Sequence, residues 1–194
     1  MDEKISKAIE TVNKGGIIIF PTDTAFGIGC RIDNEKAVER LFEIRKRPFS
    51  KPVPVLVESV KMAKGYAQVP KEVQDKLIKV YWPGALTIVF KAREDKVPSL
   101  VRGGTKTLGV RMPDHKVIRT IISGVGVPIL GPSANFHGEK TPYELNDLNE
   151  DLIKQVDYVV CGECTLKKES TVIDCSVKPW EILRQGAVKV QYQL

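Results

Sequence analysis

Gly15-Gly16-Ile17-Ile18-Ile19-Phe20-Pro21-Thr22-Asp23-Thr24-Ala25-Phe26-Gly27 holds a stop, a strand and a polar loop in immediate succession. The glycine pair closes a helix announced by Ile5, Ala8, Ile9 and Val12 at helical spacing. Ile17 to Phe20 is an unbroken apolar run ended by Pro21, the pattern of a strand buried on both faces. A turn after that strand needs only the proline and the glycine. Thr22, Asp23 and Thr24 add two hydroxyls and a carboxylate, and Phe26 a ring, at the strand end where α/β proteins hold ligands. The stretch predicts a buried strand that delivers a binding loop.

Outward from it, helix and strand keep alternating. Asn34 reads as the cap of a helix with Ala37, Val38, Leu41 and Phe42 on one face. Strands are predicted over 53–57, 85–91, 108–112 and 127–130, and helices near 60–66, 73–81, 117–122 and 145–153. Short strands follow near Val159, Val172, Ile182 and Val188. Interleaved elements predict an α/β fold, a mixed sheet with helices packed against it. The strand-rich last third argues against a purely parallel doubly wound sheet. With no internal repeat, low-complexity tract or linker, the expectation is one domain over residues 1–194.

The chain has 194 residues, 42% hydrophobic and 28% charged, which excludes disordered and fibrous classes. No apolar run approaches the roughly 18 residues of a membrane span. The charged start, Met1-Asp2-Glu3-Lys4-Ile5, has no apolar signal core behind it, so a cytoplasmic protein without a membrane partner is expected. Four cysteines (Cys30, Cys161, Cys164, Cys175) need no disulfides in that compartment. Cys161 and Cys164 have the spacing of half a zinc knuckle, but a second pair is missing and His115 and His137 stand apart, so no metal site is predicted. The net charge of +6 suits anionic partners (nucleotide, RNA or diphosphate) and equally suits mere solubility.

Three further segments interrupt the apolar pattern beside predicted strands. Arg45-Lys46-Arg47-Pro48-Phe49-Ser50-Lys51 ends a helix with four cations, more than the helix dipole needs. Such crowding is relieved by an anion, and guanidinium forks with a point-charge lysine suit polyphosphate. Gly131-Pro132-Ser133-Ala134-Asn135 offers small residues and polar groups, for a turn cap or for close approach to a phosphate. Glu169-Ser170-Thr171-Val172-Ile173-Asp174, with Arg184 on the following strand, offers hydroxyls and a cation. Neither a Walker loop nor a Gly-x-Gly-x-x-Gly after the first strand occurs, and no nucleophile sits beside a histidine. The residues alone therefore predict an anion-binding α/β enzyme that works by positioning. A non-catalytic RNA-binding protein is the rival, weakened by scattered aromatics at 7%.

In order, Pro21-Thr22-Asp23-Thr24-x-Phe26-Gly27, Arg45-x-Arg47-Pro48, Trp82-Pro83-Gly84-x-Leu86-Thr87, Val110-Arg111-Met112-Pro113, Pro132-Ser133-Ala134-Asn135 and Ser170-Thr171-Val172-Ile173-Asp174 span nearly the whole chain. Together they resemble the YrdC-like threonylcarbamoyl-adenylate synthases, in their short single-domain form. The resemblance implies a twisted open mixed sheet of the YrdC/DHBP-synthase-like type, with flanking helices and a large basic concave face. It implies that L-threonine, bicarbonate or CO2 and ATP, accompanied by Mg²⁺, become threonylcarbamoyl-adenylate and diphosphate. Downstream tRNA-modifying proteins then use that adenylate to make N6-threonylcarbamoyladenosine.

By position, the resemblance assigns ATP to Arg45, Arg47, Lys51, Thr107, Ser133, Asn135, Thr141 and Arg184, with Arg47, Lys51 and Arg184 neutralising the reacting phosphates. It assigns threonine to Thr22, Thr24, Phe26, Leu56, Arg111, Gly131 and Ser170, with Arg111 gripping the carboxylate two-pronged. Phe26 stands where a tyrosine is common, Arg45 where a lysine is usual and Leu56 where many members carry a histidine. Phe26 and Leu56 keep open the reading of a paralogue of the same fold acting on another carboxylate or amine.

Overall fold

The computed structural model describes residues 2–191. Asp2 caps α1 (Glu3–Asn13) by accepting from the Lys4 N–H at 3.0 Å, and Ala8 and Val12 turn inward. The strand β1 (Ile18–Phe20) is fully buried, as its unbroken apolar run predicts. It lies at the centre of a three-stranded sheet, antiparallel to β2 (Gly27–Gly29) and parallel to β8 (Tyr158–Val159).

The larger sheet runs β10 (Glu181–Arg184), β9 (Thr171–Asp174), β5 (Leu86–Ala92), β6 (Thr107–Arg111), β3 (Val55–Leu56) and β7 (Ile129–Leu130), with β4 (Ala67–Gln68) paired to the end of β5. It is mixed. β5 runs antiparallel to β6 and parallel to β9, and β3 runs parallel to β6 and antiparallel to β7. The two sheets touch where Gly27 bridges Ser133 and Arg31 bridges Ile129. This approach requires glycine: a Cβ on Gly29 would lie 1.9 Å from the Leu130 carbonyl oxygen.

Asn34 caps α2 (Glu35–Ile44) through the Ala37 N–H at 3.1 Å; Ala37, Val38, Leu41 and Phe42 bury the face expected, and Ile44 is buried with them. A second apolar cluster joins α1 to α6 (Lys116–Val125) through Ala8, Val12, Ile118, Ile121 and Ile122. Each of these valine and isoleucine side chains contributes about 1.5–3 kcal/mol of transfer free energy. Among the described residues no helix is long and apolar enough to cross a membrane.

Four local expectations change. The strand predicted over 53–57 contracts to Val55–Leu56, because Pro52 and Pro54 remove two ladder donors. The helix near 73–81 starts earlier and contains a π turn, Gln74–Ile78, between α4 (Lys71–Val73) and α5 (Lys79–Tyr81). The helix near 145–153 breaks into a 3-10 turn, Leu145–Asp147, and α7 (Glu150–Ile153), each with its own cap at Glu144 and Asn149. Val188 lies outside any strand, where its carbonyl accepts the Thr171 hydroxyl. The helix near 60–66 forms as α3 (Val60–Tyr66), capped by Ser59.

Candidate active site

Loops from both sheets converge on one cavity of about 380 Å³. The polar loop that leaves β1 is built by Thr22, whose hydroxyl accepts from the N–H groups of Thr24 (3.1 Å) and Ala25 (3.2 Å) and donates to the Ala25 carbonyl (2.7 Å). That hydroxyl serves the loop itself. Asp23 and Thr24 are turned instead towards Arg111 at the end of β6. Thr24 Oγ1 accepts from Arg111 Nη1 at 2.6 Å, Asp23 forms an ion pair with Nη2, and Nε donates to the Gly84 carbonyl at 3.0 Å. A guanidinium has five N–H groups, so one remains on each terminal nitrogen, a fork for a carboxylate. Burial lowers the Arg111 pKa, and the Asp23 charge opposes that shift and keeps the cation.

The second wall is the end of α2. Lys46 adopts φ 51° there, while the N–H groups of Arg47 and Lys46 return to the carbonyls of Phe42 and Glu43. This is a Schellman closure with lysine in the left-handed position usually held by glycine. The Lys46 ammonium sits 4.7 Å from the Phe136 ring centroid. The reversal sends Arg45 and Arg47 towards the cavity. Arg45 is only 2% exposed, and burial, then Arg47, push its pKa down to about 10. Its Nε and Nη2 donate to Asn135 O (3.1 Å) and Oδ1 (3.0 Å), while Nη1 is buried without a partner. Ser133 Oγ donates to the same Asn135 Oδ1 at 2.7 Å. Arg47 is held by the carbonyls of Lys51 (3.0 Å) and Pro52 (2.7 Å) and meets His137 Nδ1 at 3.3 Å. Desolvation, then the cations Arg47, Arg45 and Lys51, lower the His137 pKa.

The third wall comes from β9 and β10. Arg184 donates from Nε to the Ser170 carbonyl at 3.1 Å and from Nη2 to Ser170 Oγ at 3.2 Å. Ser170 Oγ also lies 2.9 Å from Thr87 Oγ1. Gly131 packs so closely on Leu56 that a Cβ would lie 2.4 Å from Leu56 Cγ. Leu56 and the fully buried Phe26 therefore make an apolar wall.

Of the residues named from sequence, all but Lys51 and Asn135 line this cavity. Asn135 is buried behind it, bracing Arg45, and Lys51 is exposed on the loop that binds Arg47. Lining residues missed by the sequence reading include Thr87, Val89, Glu169 and Asp174. Thr87, Glu169 and Asp174 lie in motif segments of the sequence; strand alternation, which turns Ser170, Val172 and Asp174 to one face, was the signal that could have found Asp174. Cys161 is exposed while Cys164 is buried, and no three His, Cys, Asp or Glu side chains gather among the described residues in a way that could hold a metal.

The family model for Sua5, YciO and YrdC proteins, described as telomere recombination, matches residues 10–186. A threonylcarbamoyl-AMP synthase of Pyrococcus abyssi is 33% identical over 97% of this chain and 55% of its own length. The chain thus spans about half the length of that relative. A putative threonylcarbamoyl-AMP synthase of Methanocaldococcus jannaschii is 32% identical over 98% of this chain and 91% of its own. The solved P. abyssi Sua5 complexed with L-threonine superposes with a TM-score of 0.89 at 34% identity, covering 94% of this chain and 54% of that one. Escherichia coli YciO superposes with a TM-score of 0.87 at 28% identity, covering 96% and 91%.

Proposed function

The chain belongs to the Sua5/YciO/YrdC family, and from that premise we propose that it condenses L-threonine, CO2 or bicarbonate, and ATP into L-threonylcarbamoyladenylate and diphosphate. One observation carries the reading. A single cavity joins a guanidinium fork at Arg111, suited to an amino-acid carboxylate, to the guanidinium pair Arg45 and Arg47 beside Ser133, suited to a polyphosphate.

The reaction needs no side-chain nucleophile. The threonine amine captures CO2 as a carbamate, whose oxygen attacks the α-phosphorus of ATP as diphosphate leaves. Arg111 orients threonine by its carboxylate, and Thr87 and Ser170 offer hydroxyls nearby. Arg45, Arg47 and Arg184 neutralise charge on the phosphates, and Lys51 adds an exposed cation on the loop that binds Arg47. Holding the carbamate in line with the scissile bond supplies the rest. Magnesium arrives on the triphosphate as part of the substrate; among the described residues no three His, Cys, Asp or Glu side chains gather to cage it. The unstable product passes to a transferase that acts on tRNA.

Diphosphate release from ATP and bicarbonate, compared with threonine, serine and no amino acid, tests the proposal. Release without dependence on an amino acid overturns it. Preference for another amino acid favours a paralogue, the reading supported by the apolar wall at Phe26 and Leu56.

A further inference from the structure

A second cavity, of about 610 Å³, lies along the polar face of α6 and shares no lining residue with the first. Ile118, Ile121, Ile122 and Val125 bury one face of that helix. Lys116, Arg119, Thr120 and Ser123 recur on the other at spacings of three and four, which puts them in one stripe. Such a stripe is ordinarily a solvated surface. Here Glu58, just before the Ser59 cap of α3, and Asp114, just after β6, wall it into a cavity. Its volume falls within the roughly 300–1,000 Å³ of small-molecule sites.

Two cations and two carboxylates line this space, and among the described residues none of the four forms an ion pair. Glu58 accepts only the neighbouring Ser59 hydroxyl, at 2.5 Å. Arg119 keeps a buried Nε with no hydrogen-bond partner among the described residues. Thr120 donates its hydroxyl to the Lys116 carbonyl at 2.9 Å, so its oxygen is left to accept. Opposite charges that share a cavity without closing on each other leave a gap for a third group. A plain anion drawn to Lys116 and Arg119 is repelled by Glu58 and Asp114, and a plain cation meets the converse. A zwitterion satisfies both pairs at once, and its zero net charge matches the balance of the lining. Apart from Gly124 the lining is polar or charged, so it offers no apolar pocket that would choose a side chain.

We propose that this cavity is a second binding site, for a free α-amino acid, separate from the fork at Arg111. The carboxylate lies between Lys116 and Arg119, the ammonium faces Glu58 and Asp114, and the side chain extends into the remaining space. The site reads the head group and is indifferent to the side chain. It stands whether or not the chain is a synthase. Its carboxylates ride on strand ends joined at the fork: Val57, next to Glu58, donates its N–H to the Arg111 carbonyl at 3.0 Å, and Asp114 lies three residues beyond Arg111.

The test follows the backbone amides of Thr120 and Ser123 by NMR while the whole protein is titrated with glycine, glycinamide or N-acetylglycine. Glycine carries both charges, glycinamide only the ammonium and N-acetylglycine only the carboxylate. Saturable shifts with glycine are expected, with each blocked form at least tenfold weaker. Arg119→Gln removes one cation, and loss of a hydrogen bond to a charged group predicts roughly ten- to hundredfold weaker glycine binding. Asp114→Asn, at an exposed position, is the second variant and should weaken glycine while leaving N-acetylglycine no weaker. Both variants should melt as the wild type does. The absence of a saturable glycine shift overturns the site, as does wild-type glycine affinity in both folded variants. A blocked form that binds as tightly as glycine makes it a simple anion or cation site and overturns the zwitterion. The Gly84 amide, whose carbonyl the fork holds, reports the other site. If L-threonine leaves Gly84 unmoved while glycine shifts Thr120 and Ser123, the synthase reading falls and the second site stands.

Discussion

The Glu169 carboxylate lies 3.2 Å from Arg184 Nη1, and its other oxygen accepts the Thr141 hydroxyl at 2.9 Å. A carboxylate in a cavity meant for phosphates opposes binding unless it has a second use. Here it fixes the fork of Arg184, whose remaining nitrogens hold Ser170. The chain from Thr141 through Glu169, Arg184 and Ser170 to Thr87 therefore links the phosphate side of the cavity to the amino-acid side.

Glu169→Gln separates these effects. Both partners are partly exposed, so loss of the ion pair costs stability no more than about 1 kcal/mol. Repulsion of the triphosphate falls, so KM for ATP does not rise. Arg184 loses its orientation, and kcat falls by roughly tenfold, the effect of a modestly misplaced charge-stabilising group. Steady-state diphosphate release checks both; a raised KM with intact kcat would mean that Glu169 only shapes the cavity.

Asp23→Asn tests the buried pair with Arg111. The two side chains are 4% and 7% exposed. Removing one charge leaves an uncompensated guanidinium, which costs about 3 kcal/mol or more. Urea denaturation should show the loss with an unchanged m-value, and KM for threonine should rise because the fork is no longer aimed.

How far the sequence was legible depended on whether a feature is local. β1, α1 and α2 could be read because their apolar spacing and caps are local properties. β2 could not: Gly27 and Gly29 have no strand propensity, and they sit there because the Phe20 ring crowds the first and the Leu130 carbonyl approaches the second too closely for any side chain. The cation cluster was readable as charge crowding. Its geometry was not, because the left-handed residue that turns the chain is Lys46 instead of glycine. Thr22 was read as a ligand contact, yet its hydroxyl is consumed by its own loop. The Glu169–Arg184 contact depends on the pairing of β9 with β10, which no single segment encodes.

Arg47→Ala should abolish most turnover without unfolding the protein. Arg47 braces the carbonyls of Lys51 and Pro52 but sits at the end of a helix whose apolar face is made by other residues. Arg47→Lys keeps the charge but lacks the fork, so it should recover only part of the activity. Wild-type adenylate formation by Arg47→Ala would remove this residue from the phosphate clamp.

His137 should report phosphate binding. Its pKa is lowered in the free protein by desolvation and by the cations Arg47, Arg45 and Lys51. A bound polyphosphate neutralises those cations, so the pKa rises in the complex. A group whose pKa is higher when bound takes up a proton on binding. Affinity for inorganic triphosphate should therefore strengthen as pH falls through the histidine range and level off above it. NMR titration of the His137 ring with and without triphosphate checks the shift, and His137→Gln should flatten the dependence.

Phe26→Tyr addresses amino-acid recognition. The Phe26 side chain is fully buried, yet Phe26 lines the same cavity as Arg111. Its backbone is pinned by the Pro142 carbonyl at 3.0 Å and by the Ala134 N–H at 2.9 Å, so the new phenol cannot escape by moving the loop. If the hydroxyl points into the cavity, it meets ligand or water, and the fold loses less than about 1 kcal/mol. If it points into the core, an unpaired hydroxyl costs about 1–3 kcal/mol. A threonine-using enzyme should then show lower KM for threonine in Phe26→Tyr, with KM for ATP unchanged and little loss in thermal stability. A variant that melts normally but binds threonine no better would mean that the apolar wall at Phe26 and Leu56 is matched to a different side chain, and the search for the amino-acid substrate would move to aliphatic ones.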